Sequence, residues 1–231
     1  QINAGLLLFT QGLSGATVDL SNGSAEIRVG DKAPVFLKEI RAQTIASPAA
    51  LRFHLSGRSS LWHWLTIEGT IAQENLAADL DIGVQRLKLK DSLVFFPVKF
   101  FQSAPSAEAS LDLKITSVGL RRMKARIGGS AGPMTYTRQS RSATVEIKNL
   151  NGAVTYQNNL FQIDVERLDL ATPQLRASGQ LKIEPDSFSA NVQVRDLDIA
   201  KLREFAPGKA DDDIEKILRY IPVGKIPELT V

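Results

Sequence analysis

Apolar and polar residues alternate with a period of two along most of this chain. Clear examples are residues 51–55, 76–84, 111–115 and 190–195, in which every second side chain is apolar. Such alternation is typical of β-strands that turn one face toward an apolar interior and the other toward water. Short turn-rich segments separate the runs: residues 21–23, 128–129, 149–152, 158–159 and 184–186. We therefore predict a mainly β protein built as an antiparallel β-meander.

In four of these strands the alternation slips by one residue across a polar pair. The slips fall at Lys38-Glu39, Gln85-Arg86, Glu166-Arg167 and Arg195-Asp196. One extra residue that resets the inward face is the signature of a β-bulge or a strand bend. We therefore expect bulges or bends near Glu39, Arg86, Glu166 and Asp196.

The order of these features repeats once along the chain. Residues 17–22 (TVDLSN) resemble residues 144–149 (TVEIKN), and each segment is followed by a slipped strand, a Ser-Pro or Thr-Pro turn and a glycine-containing strand. We predict two β-meander units, residues 13–90 and 107–204, joined by an aromatic connector over residues 91–106. Residues 205–231 are predicted to hold a helix and the start of a further strand.

The helix is predicted over residues 212–220. Its apolar residues recur at i, i+3, i+4 and i+7, which gives one apolar stripe: Ile214, Ile217, Leu218 and Ile221. Asp212 and Glu215 form a capping box, and Pro222 ends the helix. The acidic run at 211–213 stabilises the helix macrodipole without an ion, so we predict no metal site there.

The composition narrows the possible chemistry. The chain has 231 residues, a net charge of +3 and no cysteine, which excludes disulfides, thiolate metal sites and thiol nucleophiles. His54 and His63 belong to no metal-ligand spacing, and nucleophile-elbow, P-loop and dinucleotide-binding motifs are missing. We therefore predict a non-enzymatic protein without a cofactor. The apolar run at 5–9 is far shorter than the roughly 20 residues of a membrane span, and we expect a segment of a longer protein whose export signal or membrane anchor lies outside it.

Three surface features allow either a binding or a purely structural role. Trp62 and Trp64 would share one face of a strand, as a carbohydrate platform or as core filling. Arg121 and Arg122 begin a basic run that suits anionic headgroups or a solvated hairpin. The connector holds four phenylalanines beside lysines, which suits a lipid–water interface, a partner surface or a plug for the end of the sheet. These residues are Phe95, Phe96, Phe100 and Phe101.

The second unit carries a recognisable pattern. Residues 151–156, 161–170, 175–181 and 190–202, which include the sequence DLDI at 196–199, resemble an AsmA-like repeat, and residues 221–225 resemble the link to a following repeat. The resemblance covers residues 107–231 well and residues 13–90 loosely. It implies a member of the superfamily of AsmA, TamB and YhdP-like proteins: a Gram-negative envelope protein, anchored at the inner membrane, that extends into the periplasm.

The resemblance also implies a curved half-pipe sheet whose apolar inner face conducts phospholipid acyl chains between the inner and outer membranes. Its partners would be phospholipid and other envelope proteins. The net charge of +3 is too small and too dispersed to suggest a protein that binds nucleic acid. The alternative is a filled β-sandwich, a structural or adhesion module that binds protein or glycan through its surface. If the groove is open, six residues of the second unit are expected to line it: Ile163, Val165, Leu181, Ile183, Val192 and Val194.

Overall fold

The structure is a computed structural model that describes residues 17–30, 32–93, 106–119, 122–138, 141–158, 160–184, 187–198 and 225–230. Within these residues there are twelve strands and one short helix, α1 (Leu89–Leu93). The strands are β1 (Thr17–Ile27), β2 (Val35–Ala46), β3 (Ala50–Ser59), β4 (Trp64–Ala72), β5 (Ala78–Lys88), β6 (Glu108–Val118), β7 (Arg122–Arg138), β8 (Arg141–Gln157), β9 (Leu160–Thr172), β10 (Leu175–Glu184), β11 (Ser187–Asp198) and β12 (Lys225–Thr230).

All twelve strands form one sheet in which their spatial order equals their order along the chain. Every pair of neighbours is antiparallel, and β5 pairs directly with β6 although the predicted connector lies between them in sequence. The sheet is open, with β1 and β12 at its edges. Strands account for more than half of the chain, which confirms the prediction of a mainly β antiparallel meander. The helix predicted over residues 212–220 lies outside the described residues.

Two adjacent rows of register partners show how the alternation places apolar and polar side chains on opposite faces of the sheet. One row crosses eleven strands through Leu20, Ala42, Leu55, Ile67, Ile82, Leu113, Ile127, Gly152, Val165, Gly179 and Val192. The row beside it runs through Asp19, Gln43, His54, Glu68, Asp81, Lys114, Arg126, Ala153, Asp164, Gln180 and Asn191. Successive side chains of a strand point to opposite sides of the sheet. The first row therefore lies on one side, the apolar face, and the second on the other, the polar face.

The four predicted slips are confirmed. Register shifts interrupt the pairing beside Glu39, Arg86 and Glu166, and Glu39, Arg86 and Asp196 have positive φ angles of 53°, 51° and 59°. Both polar residues of every slip are exposed, whereas the apolar residues that flank them are half-buried or buried. The flanking pairs are Leu37 with Ile40, Val84 with Leu87, Val165 with Leu168, and Val194 with Leu197. Each bulge thus keeps the apolar face continuous where the alternation breaks.

Three predicted turns are instead parts of strands. Residues 128–129 lie inside β7 and residues 149–152 inside β8, where Gly128 pairs with Asn151. Residues 21–23 lie inside β1, where Asn22 has a φ of 56° beside a register shift. Asn and Gly favour turns because they tolerate positive φ or carry no side chain, and the same properties suit bulges and close strand contacts.

The described residues form no large filled core. Eight apolar residues among them are buried, and five of these are alanines. One small cluster, Ala109, Ala131 and Met134, packs against Leu89 of α1 and neighbouring side chains. The described strands therefore form a single open layer and not the two packed sheets of the sandwich alternative.

Candidate functional site

The apolar face leaves large side chains in contact with solvent. Toward one edge of the sheet, Phe161, Ile183, Phe188 and Val192 are between 41% and 68% exposed. Near the other edge, Leu20 of β1 is 45% exposed. Ile183 pairs with both Phe161 and Phe188, so these three side chains form one exposed apolar patch, a feature that makes this side of the sheet a candidate interaction site.

The six predicted groove residues all lie on the apolar face. Leu181 pairs with Ile163, and Gly179 pairs with both Val165 and Val192. The alternation along each strand places the remaining two residues on this side as well: Ile183 and Val194. The structure therefore brings the six together across β9, β10 and β11.

Glycines on the two faces have different surroundings. On the apolar face, a Cβ atom at Gly129, Gly152 or Gly179 would lie 2.5–2.7 Å from a backbone carbonyl oxygen of the neighbouring strand. On the polar face, the nearest atoms to a Cβ at Gly83 and Gly128 are side-chain oxygens at 3.6 and 3.4 Å. Neighbouring backbones thus approach these positions closely on the apolar side, where only glycine fits without a shift.

The polar face carries side-chain hydrogen bonds and ion pairs between adjacent strands. His54 Nδ1 lies 3.0 Å from Glu68 Oε1, and Lys114 Nζ donates to Asp81 Oδ2 at 3.2 Å. Asp164 accepts from Gln180 Nε2 at 2.6 Å. The first two of these pairs are exposed and contribute little to stability, whereas the Gln180–Asp164 pair is half-buried.

A hollow of about 740 Å³ lies on the polar face, and residues of six strands, β4 to β9, line it. Gly83 and Gly128 contribute no side chains to it, which leaves space between the longer side chains around them. Four carboxylates and two cations line it, for a formal charge of −2: Glu68, Asp81, Asp112, Glu166, Lys114 and Arg126. No sequence motif predicted this hollow, because its residues come together only through strand register.

Trp64 is the aromatic residue that lines the hollow, together with the amide of Asn151. The Arg58 guanidinium carbon lies 5.8 Å from the centroid of the Trp64 ring. Trp62 lies in the turn between β3 and β4, and its buried indole N–H has no hydrogen-bond partner. The expectation that both tryptophans lie on one strand was therefore wrong, since β4 begins at Trp64.

Electrostatic shifts are found at one of the slips. The pKa of Glu108 is lowered, chiefly by the hydrogen bond from Arg86, and the same hydrogen bond raises the pKa of the Arg86 guanidinium. Both groups are exposed, and the pair lies directly beside the bulge, at which Arg86 has a positive φ angle.

The other predicted contact residues are only partly described. Arg122 is exposed at the start of β7, where it pairs with Val118 and Gln157. Arg121 and the four phenylalanines of the connector, Phe95, Phe96, Phe100 and Phe101, lie outside the described residues. In the described part of the chain, no group of three His, Asp or Glu residues is placed to hold a metal ion. The one helix of the described residues, α1, lacks the length and apolarity to cross a membrane.

Comparison with protein families, curated proteins and solved structures gave no match for this chain.

Proposed function

We propose that this chain is a non-enzymatic segment of a Gram-negative envelope protein whose apolar face shields phospholipid acyl chains between the inner and outer membranes. The observation that carries the proposal is the row of apolar residues that crosses eleven strands from Leu20 to Val192. The resemblance to AsmA-like proteins supports a periplasmic location and a tether at the inner membrane through a segment outside this chain.

The dimensions of the sheet suit this role. Adjacent strands lie about 4.8 Å apart, so twelve strands span about 50 Å across the sheet. A bilayer core is about 30 Å thick, which makes one extended acyl chain about 15 Å long. An apolar surface that runs perpendicular to the strands can therefore hold acyl chains one after another.

The half-pipe whose inner side is the apolar face is what the resemblance to AsmA-like proteins implies. Gly129, Gly152 and Gly179 lie on that face, and a Cβ at each would be close to a carbonyl oxygen of the neighbouring strand. Gly83 and Gly128 on the polar face lack such contacts with the neighbouring backbone. Each methylene of an acyl chain that moves from water to the inner side would contribute about 0.8 kcal/mol to the free energy of lipid binding.

Lipid extraction and site-specific crosslinking test the proposal. Protein purified from a Gram-negative host is expected to carry phospholipid, detected by native mass spectrometry and by organic extraction. A photoreactive phenylalanine analogue at Val192 should crosslink to phospholipid, whereas the same analogue at Asn191, on the opposite face, should not.

The control position makes the experiment decisive. Asn191 and Val192 are adjacent in β11, so the two variants carry the same photoreactive group in the same strand and differ in the side of the sheet that the group faces. Lipid-free protein, or crosslinks of equal yield from both positions, would refute the proposal.

A further inference from the structure

We infer that the hollow on the polar face binds an oligosaccharide of neutral or amino sugars. This site is separate from the apolar face and uses the opposite side of the same strands. The juxtaposition that carries the inference is that Trp64, Asp112 and Asn151 line one hollow, in which Gly83, Asp112, Gly128 and Asn151 are successive register partners across β5 to β8.

The shape of the hollow suits a small polar ligand. Its volume of about 740 Å³ falls within the roughly 300–1,000 Å³ of small-molecule sites. The nearest atom to a Cβ at Gly83 would be Asp112 Oδ1 at 3.6 Å, and at Gly128 it would be Asn151 Oδ1 at 3.4 Å. A ligand can therefore approach the backbone here while Asp112 and Asn151 stand beside it.

The lining supplies both kinds of contact that a sugar ring needs. The apolar C–H side of a pyranose packs on an aromatic ring, and Trp64 offers a ring held by Arg58 on the adjacent strand. Carboxylate oxygens accept hydrogen bonds from hydroxyl groups, and the Asn151 amide both donates and accepts. Neighbouring hydroxyl groups of a sugar both donate and accept hydrogen bonds, so they can bond to the carboxylates and to the Asn151 amide at the same time.

The charge of the lining selects the class of sugar. Four carboxylates outnumber the two cations, Lys114 and Arg126, and Lys114 already pairs with Asp79 and Asp81. The net negative charge disfavours uronates, sialosides and phosphate esters and favours neutral or amino sugars. For the same reason the hollow is unsuited to a phospholipid headgroup.

Titration calorimetry with three probes tests this inference: the trimer of N-acetylglucosamine, the trimer of glucosamine and an anionic heparin disaccharide. One or both of the first two are expected to bind and the third is not. Gly83→Val fills the floor of the hollow with a side chain that the strand tolerates, and should weaken binding by at least about tenfold.

The matched control is Thr116→Val, which places a valine at an exposed position of β6 outside the hollow. This variant should bind the trimers with unchanged affinity. If Gly83→Val unfolds at a much lower temperature than the wild type, Asp112→Asn provides a second variant. This substitution is nearly isosteric and should also weaken binding of the trimers. The inference fails if neither trimer binds, if the heparin disaccharide binds best, or if both hollow variants bind as the wild type does.

Discussion

Arg86 donates two hydrogen bonds to Glu108 across the β5–β6 pair, from Nε to Oε2 at 2.7 Å and from Nη2 to Oε1 at 3.4 Å. In the slip at Gln85-Arg86, Arg86 is the residue whose φ angle is positive. The other two positive-φ slip residues are also paired with an adjacent strand: Glu39 with Arg58 at 3.4 Å, and Asp196 with Arg176 at 3.9 Å. An ion pair on the exposed side therefore accompanies each of the three slips at which the backbone adopts a positive φ angle.

Glu108→Gln is expected to reduce the sensitivity of folding to acid. The pKa of Glu108 is lowered from its ordinary value of 4.5, so its stabilising effect is present above that value and is lost as the pH falls through the lowered pKa. The change will be small because both groups are exposed. Thermal unfolding followed from about pH 7 to about pH 3 should show a shallower acid decline for the variant.

A double-mutant cycle controls this prediction. Arg86→Gln should remove the same pH dependence of stability. The double variant should show the same acid decline as either single variant. Equal acid declines in the wild type and Glu108→Gln would contradict it.

The positive φ at Glu39 makes a second prediction. Asn tolerates this conformation and Val does not, so Glu39→Val should be about 1–2 kcal/mol less stable than Glu39→Asn. Both variants lose the ion pair to Arg58, which cancels in the comparison. Lys38→Val, at the neighbouring exposed position, is the control and should have little effect in chemical denaturation. If Glu39→Val is as stable as Glu39→Asn, the bulge is not held in this conformation.

The slips could be predicted from sequence because strand parity is a local property. When Val84 is followed by Leu87 three positions later, only an extra residue in the strand lets both lie on one face. The strand content and the side of the sheet taken by Val165 or Val192 follow from the same rule.

Close contacts between strands make a third prediction, about the two sets of glycines. Gly179→Ala places a Cβ about 2.5 Å from the Asn191 carbonyl oxygen, so the backbone must shift, at a cost of about 1–3 kcal/mol. Gly83→Ala meets no close atom and should stabilise the protein by up to about 1 kcal/mol by restricting the unfolded chain. Urea denaturation of both variants measures the difference. Equal effects would mean that the apolar side is not the crowded one.

The hollow and the glycine environments could not be predicted from the sequence. Gly128 and Gly129 resemble a turn when read alone, and only the register with Leu150 and Asn151 shows them in mid-strand. Trp64 and Glu166 are about one hundred residues apart in the chain yet line one hollow. Pairing between strands is non-local, so alternation assigns a side chain to a face without showing which residues lie beside it.

Val192→Asp distinguishes an open lipid-holding face from a filled core. Val192 is 41% exposed on the apolar face, so a carboxylate there keeps access to water and the protein should stay folded with a modest loss of thermal stability. An acyl chain packed against the same position would bury that charge without a partner, which is strongly unfavourable. Co-purifying phospholipid should therefore fall by more than about tenfold. Asn191→Asp, on the polar face of the same strand, should retain both stability and lipid. Unfolding of Val192→Asp would reveal a covered core, and a stable variant that still carries lipid would show that this face does not hold the acyl chains.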